Sequence, residues 1–407
     1  MSKHDNRGFF KSRRAFARHG AIAPQKKSSA LWGLFFKGVA VVVGAVLAFG
    51  GVTVWNLTNT LNNNSFIITD AAGKKIEPAD LNGPINMLLV GSDSRAGQAS
   101  VFGHDKSVLA DVIILLHISA DRKNAVALSF PRDLMVPWPA CPSTSGGSGY
   151  LPQTLGQINA TIANGGPGCT LLTIEKLTGV QIPYLAMINF SGVIEMSNSI
   201  GGVEVCVAKD IHDTYTFLNL KKGKHVLQGM EALQFLRTRH GVGDGSDLSR
   251  ISNQQVFLTS LVRKVRSEGV LTNPLQLLSL ANAAVRNMTL STSLANLSTM
   301  IAIGGALKNI PLEKITFLQV PSRGGLPAPY SGRVMPVYEK ANVLFQKLVN
   351  DEPILIAKAN PGTGAIVETP APSATPNPTP TPTPTSTDSY LDDTYRGTNG
   401  SLTTCSG

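Results

Sequence analysis

The sequence lacks the short motifs that mark several large enzyme classes. It contains no Walker A motif, no Gly-x-Ser-x-Gly nucleophile elbow, no Cys-x-x-Cys pair and no His-x-x-x-His spacing, and its seven histidines are scattered. The segment 164–168 (NGGPG) has no following Lys-Ser/Thr, so it indicates a turn rather than a phosphate-binding loop. These absences leave a P-loop NTPase, an α/β-type serine hydrolase and a zinc site without support.

Charged residues are also sparse, and their imbalance is local. With 407 residues, 43% of them hydrophobic and 15% charged, the chain is long enough for one large globular domain with appendages. The net charge is +10, but residues 1–37 contain nine basic side chains and one acidic side chain, which leaves +2 for all the others. Because the excess belongs to a leader, we expect no nucleic-acid partner.

An apolar segment follows this leader. Residues 38–55 form an uncharged run of eighteen residues, with Trp32 and Trp55 near the ends of the extended segment. We predict a cytoplasmic basic leader at residues 1–30 and a transmembrane signal anchor at residues 31–57. A cleavable signal peptide is the alternative, since the sequence AFG at positions 48–50 loosely resembles a cleavage site. The prediction is a single-pass protein of the cell membrane whose remaining chain is extracellular.

Three further segments follow from composition. Residues 58–83 are predicted to be a juxtamembrane linker. Residues 84–357 alternate β-rich runs with helical patterns, which predicts one α/β domain. Residues 358–407 are predicted to be a disordered tail because their first part is rich in Pro and Thr, a composition that cannot build a core. The tail is interpreted as a spacer, with a role in threading through a wall matrix as the alternative.

The four cysteines fit an external compartment. Cys141 and Cys169 flank a Gly/Ser/Pro-rich segment, and their pairing would close a loop of about 28 residues, worth ~3 kcal/mol in the chain-entropy model. Cys206 and Cys405 are left to pair with each other or to stay free. Since four cysteines allow three connectivities, the first pair is a preference.

Polar residues cluster at the ends of three predicted strands. The runs at 85–90, 112–118 and 125–130 read as strands, and the short polar turn between the last two predicts an antiparallel hairpin. If the first strand is also antiparallel to the second, one sheet edge collects Asp93, Arg95, Asp111, Arg132 and Asp133. Ordinary turn residues are the alternative for the acidic members, but arginines are not turn formers.

A second group of charges lies in a helix predicted over residues 246–266, with Ser246 or Asp247 as its N-cap. Three polar residues project into its apolar sector: Asp247, Arg250 and Gln254. Arg237 and Arg239 lie just upstream, so arginines converge at a helix start, which suits a phosphate. The alternative is a structural Arg–Asp network beneath the helix cap.

Together these groups can bind a metal ion and a pyrophosphate. Asp93 and Asp111 could share Mg²⁺, which usually takes one or two protein carboxylates together with phosphate oxygens. Guanidinium groups match phosphate geometry and neutralise its charge, and five are available: Arg95, Arg132, Arg237, Arg239 and Arg250.

Six sequence blocks of the chain resemble motifs of the LytR-CpsA-Psr family. The resemblance covers residues 84–267 in six ordered blocks: GSDSR at 91–95, Ala110-Asp111, SFPRD at 129–133, INATIANGGPGCT at 158–170, SIGGVEV at 199–205, and LQGMEALQFLRTRHGVGDGSDLSRISNQQ at 227–255. It implies a central mixed β-sheet flanked by helices, with a hydrophobic pocket for a lipid tail to which residues 170–233 could contribute.

The resemblance also implies an activity. Family members are Mg²⁺-dependent (or Mn²⁺-dependent) phosphotransferases of the Gram-positive envelope. They move a glycopolymer such as teichoic acid or arabinogalactan from a polyprenyl-pyrophosphate carrier to peptidoglycan, leaving a phosphodiester link. On this reading Asp93 and Asp111 would bind the metal, Asp247 would orient an arginine and Gln254 would lie beside the pyrophosphate. Asp133 would support Arg132 or act as a base, and we favour support.

Two positions depart from the family pattern. Asn253 and Leu109 stand where the family commonly has arginine, so positive charge is reduced near the site. The alternatives to a transferase are a polyprenyl-pyrophosphate hydrolase and a non-enzymatic envelope protein that binds lipid-linked precursors.

Overall fold

The computed structural model describes residues 28–93, 108–143, 148–267, 274–368 and 390–407. The predicted site residue Arg95 lies outside these ranges, as does most of the predicted leader. The chain divides into two compact units, residues 1–55 and residues 56–407. None of the helices in the described part of the chain combines the length and the hydropathy that a membrane crossing requires.

Eight α-helices are present among the described residues. They are α1 Ser28–Asn63, α2 Thr161–Thr178, α3 Phe190–Ser199, α4 Gly229–Arg237, α5 Asp247–Ser267, α6 Pro274–Asn287, α7 Leu297–Asn309 and α8 Tyr338–Val349. The turn predicted at 164–168 is instead a kink inside α2, because Gly165 and Gly166 have non-helical backbone angles there.

Twenty short and long strands complete the described fold. The first ten are β1 Ser65–Phe66, β2 Ile85–Ser92, β3 Ala110–Ile118, β4 Ala125–Phe130, β5 Met135–Trp138, β6 Gln153–Gln157, β7 Tyr184–Ile188, β8 Val203–Val207, β9 Ile211–Asp213 and β10 Leu218–Leu220. The others are β11 Gly223–Leu227, β12 Met288–Ser291, β13 Ile315–Gln319, β14 Ser322–Arg323, β15 Met335–Pro336, β16 Leu355–Ile356, β17 Ala365–Val367, β18 Tyr390–Leu391, β19 Gly397–Asn399 and β20 Thr404–Ser406.

The central sheet has eight strands in the order β1-β12-β7-β2-β3-β4-β13-β19. The predicted antiparallel arrangement of β2, β3 and β4 is confirmed, and parallel pairs of β2 with β7 and of β4 with β13 make the sheet mixed. Its inner strands are apolar without alternation because both faces are covered. On β3, Ile113 and Leu115 belong to one core cluster, whereas Ile114 and Leu116 belong to another.

The predicted disordered tail is wrong for residues 365–367 and 390–407, which form paired strands, and residues 369–389 of that prediction lie outside the described part of the chain. β19 pairs with β13 at the edge of the central sheet, and β20 lies between β8 and β17 in a second, four-stranded sheet. A disulfide joins Cys206 to Cys405. The segment is polar and its strands are short, so their stability comes from partners distant in sequence, which local composition does not reveal.

The predicted linker also differs from the structure. Within residues 58–83, Leu61 and Ile68 are buried in the cores on opposite faces of the sheet, and β1 pairs with β12. Two apolar side chains among many polar residues are a weak signal, and their burial depends on a sheet edge formed by residues over 200 positions later. The segment is part of the folded unit.

Candidate functional site

The site begins at a bulge between β2 and β3. Gly91 pairs with Val112 and Ser92 pairs with Ala110, so Asp111 is an extra residue without a cross-strand partner. A bulge of this kind turns a side chain out of the regular alternation, and bulges are common beside active sites. Asp93 lies at the same edge, where its Oδ1 accepts a hydrogen bond from the backbone N–H of Leu109 at 2.7 Å. The predicted meeting of these strand ends is confirmed for Asp93 and Asp111.

Arg132 follows β4 and connects this edge to three carboxylates. One of its terminal nitrogens is 2.5 Å from Oδ1 of Asp111, and its Nε is 3.6 Å from carboxylate oxygens of both Asp133 and Asp247. Burial alone would lower the pKa of Arg132, but the charge and hydrogen bond of Asp111, with Asp247 and Asp133, raise it. Arg132 is therefore held as a cation at the sheet edge.

The start of α5 closes the cluster from the other side. Arg250, only 4% exposed, places one nitrogen 2.6 Å from Oδ1 of Asp247 and 2.9 Å from the backbone oxygen of Asp111. Burial raises the pKa of Asp247 against the attraction of Arg250, and burial lowers the pKa of Arg250 against that of Asp247. Both charges are thus disfavoured by burial, and such a pair adds little stability by itself.

Local hydrogen bonds explain why α5 begins here. The hydroxyl of Ser246 accepts a bond from the backbone N–H of Ser249 at 3.2 Å, which confirms the predicted N-cap. The side chains of Ser246 and Ser249 and the backbone N–H of Ser246 bond to Asp244, and these bonds hold the pKa of Asp244 at about 2. At Gly243, φ is +53°, and an added Cβ would lie 2.5 Å from the Ser249 hydroxyl, so only glycine fits.

The remaining predicted residues of this segment occupy different surroundings. Gln254, one turn after Arg250, donates to the backbone oxygen of Leu236 at 3.0 Å. The guanidinium of Arg237 lies over the ring of Phe190 at 4.4 Å from its centroid. Arg239 lies close enough for its charge to act on both Asp247 and Arg250. The structure therefore brings the sheet edge and the helix start together, as predicted.

Asn253 does not face this cluster. It is fully buried, donates to the backbone oxygen of Phe235 at 2.6 Å, and accepts a hydrogen bond from the hydroxyl of Ser406 on β20. In this chain the position where the family commonly carries arginine is therefore an interior contact with the second sheet. Leu109, the other departure, contacts Asp93 through its backbone.

Asp133 has partners that sequence patterns did not reveal. Its Oδ1 accepts from Gln157 at 2.6 Å and from Arg333, a half-exposed residue 200 positions later, at 3.1 Å. Gln157 could have been suspected from the sequence, because it directly precedes the sequence block at 158–170. No sequence pattern indicated Arg333. Asp133 is thus surrounded by Arg132, Gln157 and Arg333, and this arrangement fits the favoured supporting role.

An apolar cavity of about 360 Å³ opens beside the charged cluster. Its walls come from the sheet and from helices α3, α4, α5 and α6, and include Leu89, Ile114, Val193, Met196, Leu236, Phe257, Leu258 and Leu261. Four of its polar lining residues belong to the site already described: Asp111, Arg237, Arg250 and Gln254. Residues 170–233 contribute one wall, as expected, but α5 and the sheet contribute the others.

Two disulfides are present in the described part of the chain. Cys141 pairs with Cys169 at a Cα separation of 5.3 Å, which confirms the preferred pair, and Cys206 pairs with Cys405 at 4.4 Å. The first joins the loop after β5 to α2.

Comparisons with known proteins agree with this architecture. A sequence model of the LytR_cpsA_psr family matches residues 52–343. The cell wall biosynthesis protein LcpA of Corynebacterium glutamicum is 26% identical, over 70% of this chain and 58% of its own length. The polyisoprenyl-teichoic acid–peptidoglycan teichoic acid transferase TagT of Bacillus subtilis is 30% identical, over 45% of this chain and 53% of its own. The chain thus spans little more than half the length of these relatives.

A solved structure shows the same fold. The crystal structure of Bacillus subtilis TagV has a TM-score of 0.52 at 22% identity, covering 66% of this chain and 98% of that one. The predicted fold class, an α/β domain with a central mixed sheet and flanking helices, is confirmed.

Proposed function

We propose that this chain, which belongs to the LytR_cpsA_psr family, transfers a glycopolymer from a polyprenyl-pyrophosphate carrier to peptidoglycan. The observation that carries this proposal is the apolar cavity whose lining also includes Arg237 and Arg250. A polyprenyl pyrophosphate has an apolar tail and a dianionic head, and it needs those two environments side by side. The names of LcpA and TagT, which refer to cell wall biosynthesis and to teichoic acid transfer, support the proposal.

The arginines have unused donors for the pyrophosphate. The Nε atoms of Arg132, Arg239 and Arg250 are buried and have no hydrogen-bond partner within the described residues. A buried donor without a partner costs about 1–3 kcal/mol, and a phosphate oxygen would remove that cost. The presence of such donors on three arginines of one charged cluster supports an anion-binding site.

A divalent cation fits the adjacent carboxylates. Asp93 and Asp111 supply oxygen donors from neighbouring strand ends, the donor set that Mg²⁺ or Mn²⁺ takes together with phosphate oxygens. When bound, the ion would neutralise charge on the pyrophosphate. Arg132 and Arg250, which contact Asp111, would hold that carboxylate in place.

The reaction exchanges one phosphorus–oxygen bond for another. The oxygen of a peptidoglycan hydroxyl forms a bond to the phosphorus that carries the glycan, and the bond from this phosphorus to the bridging oxygen breaks. The electron pair of the broken bond leaves with polyprenyl phosphate, and the hydroxyl proton passes to solvent. Arg132, Arg239 and Arg250 surround the position where negative charge develops, and they stabilise it without rearrangement.

The protein's location is part of the proposal. Residues 31–57 would anchor it in the cell membrane as a single-pass protein, with the basic leader in the cytoplasm and residues 58–407 outside. Two disulfides support an oxidising compartment, and a lipid-linked substrate supports a position at the membrane surface.

The test uses the full-length protein in detergent with Mg²⁺, a polyprenyl-pyrophosphate-linked glycan and peptidoglycan. Wild type is expected to form glycan joined to peptidoglycan through phosphate, and Arg132→Ala is expected to lose about 10²–10³-fold in rate. Arg286→Ala is the matched control, because Arg286 is exposed on α6 outside the site. Release of polyprenyl phosphate without a glycan–peptidoglycan product would contradict transfer and establish hydrolysis.

A further inference from the structure

Two exposed aromatic side chains stand on the β9–β10 hairpin. Tyr215 is 75% exposed and Phe217 is 83% exposed, and both lie in the four-residue loop between Asp213 and Leu218. Single exposed apolar residues are ordinary, but two aromatic rings in one short loop form a local surface suited to binding. The hairpin tip is therefore a candidate contact surface.

A buried carboxylate fastens this loop to the charged cluster. Asp213, 1% exposed, accepts hydrogen bonds from the Thr238 hydroxyl at 2.6 Å, from the Arg239 backbone N–H at 3.1 Å and from the Tyr215 backbone N–H at 2.9 Å. Burial raises the pKa of Asp213, but these bonds outweigh it and lower the pKa overall. The loop and the Arg239 backbone thus share one fixed anchor.

The aromatic surface continues onto the arginine segment. The rings of Tyr215 and His240 lie 4.4 Å apart between centroids, and His240 directly follows Arg239 in the chain. Phe217 has a φ of +60°, a conformation that is unfavourable for a bulky residue and persists only where the surroundings impose it. Tyr215, Phe217 and His240 are named here the aromatic platform.

We infer that the aromatic platform binds the sugar joined to the pyrophosphate of the lipid-linked donor. The C–H face of a pyranose ring complements the electron-rich face of an aromatic side chain. His240 follows Arg239 in the chain and its ring lies against Tyr215, so the platform adjoins the arginine segment that would bind the pyrophosphate.

This inference rests on the proposed function. Two probes are used so that a failure of the aromatic platform can be distinguished from a failure of the proposed function. The probes are geranyl pyrophosphate and geranyl pyrophosphate bearing one N-acetylglucosamine, titrated calorimetrically into the full-length protein with Mg²⁺. Wild type is expected to bind the sugar-bearing probe about tenfold more tightly than the bare one. In the double variant Tyr215→Ala/Phe217→Ala this preference is expected to fall within about twofold, while the bare probe binds as it does to wild type.

Controls keep the result specific. Tyr215→Trp should retain the preference, because the aromatic face remains. Tyr150→Ala/Leu151→Ala should also retain it, since these exposed residues belong to the segment between β5 and β6. Bare-probe binding without any preference in wild type, or a preference unchanged in the double variant, would overturn the platform and leave the pyrophosphate site intact. Failure of both probes to bind would overturn the platform together with the proposed function.

Discussion

The hydroxyl of Ser406 donates a hydrogen bond to the side-chain oxygen of Asn253, 153 positions earlier in the chain. This contact joins β20 to α5. It gives a physical reason for the asparagine, since a longer cationic side chain would have to displace β20. The side chain at this position therefore contacts the second sheet.

Asn253→Arg is expected to destabilise the protein instead of improving catalysis. A buried guanidinium without a carboxylate costs about 3 kcal/mol or more in the free energy of unfolding. Asn253→Ala, which removes two hydrogen bonds without adding charge, should cost about 1–3 kcal/mol. Chemical denaturation of the three proteins measures the difference. An arginine variant that is as stable as wild type and faster in transfer would show that this position serves the site.

The Asp133→Asn variant distinguishes between two roles of Asp133, the support of Arg132 and general-base catalysis. Because Asp133 contacts Arg132, Gln157 and Arg333, we expect the variant to lose about tenfold in transfer rate, through weaker positioning of Arg132. Removal of a general base costs about 10²–10⁴-fold, and a loss in that range would assign Asp133 that role. Steady-state rates with saturating substrates make the comparison, and Asp121→Asn, in the exposed turn before β4, is the control.

Val193→Trp should fill the apolar cavity. Val193 projects into it from α3, so an indole there would exclude a lipid tail but leave the arginines in place. We expect binding of a polyprenyl pyrophosphate to weaken by at least about tenfold, while inorganic pyrophosphate binds as before. Val343→Trp, on the exposed side of α8, controls for added aromatic surface. Equal binding of the lipid by wild type and Val193→Trp would place the tail outside this cavity.

The pH dependence of stability should include a contribution from Asp244. Its pKa falls from 3.8 to about 2 in the folded protein because Ser246 and Ser249 bond to the carboxylate. A lowered pKa means that the stabilisation is complete above pH 3.8 and is lost as the pH falls through about 2. In Asp244→Asn the thermal midpoint should decline less over that interval. Parallel curves for the two proteins would exclude this contribution.

The central sheet and the site-bearing helix could be predicted from sequence because local patterns encode them. β3 and β4 are continuous apolar runs since both of their faces are buried, and α5 has a serine cap followed by helical periodicity. The meeting of Asp111 with Arg132 then follows from the antiparallel order of the strands.

Other contacts depend on residues far apart in sequence. Arg333 reaches Asp133 across 200 positions, and Ser406 reaches Asn253 across 153. Neither residue lies in a periodic segment, and β20 has only three residues. Such contacts arise from the packing of whole elements, so composition and spacing could not reveal them. The cavity could not be predicted either, because its apolar lining residues have the same sequence pattern as residues of an ordinary core.

The position of β20 near the end of the chain means that this strand is synthesised after its neighbour β8. β8 is made long before its neighbour β20, and Cys206 and Cys405 are separated by 199 residues. At about 5–20 residues per second, synthesis of that interval takes on the order of 10–40 s. During this time one edge of β8 is unpaired, Asn253 lacks its hydrogen bond from Ser406, and Cys206 has a free thiol because Cys405 has not been synthesised. The Cys141–Cys169 bond can form earlier, so we expect Cys206–Cys405 to form after it.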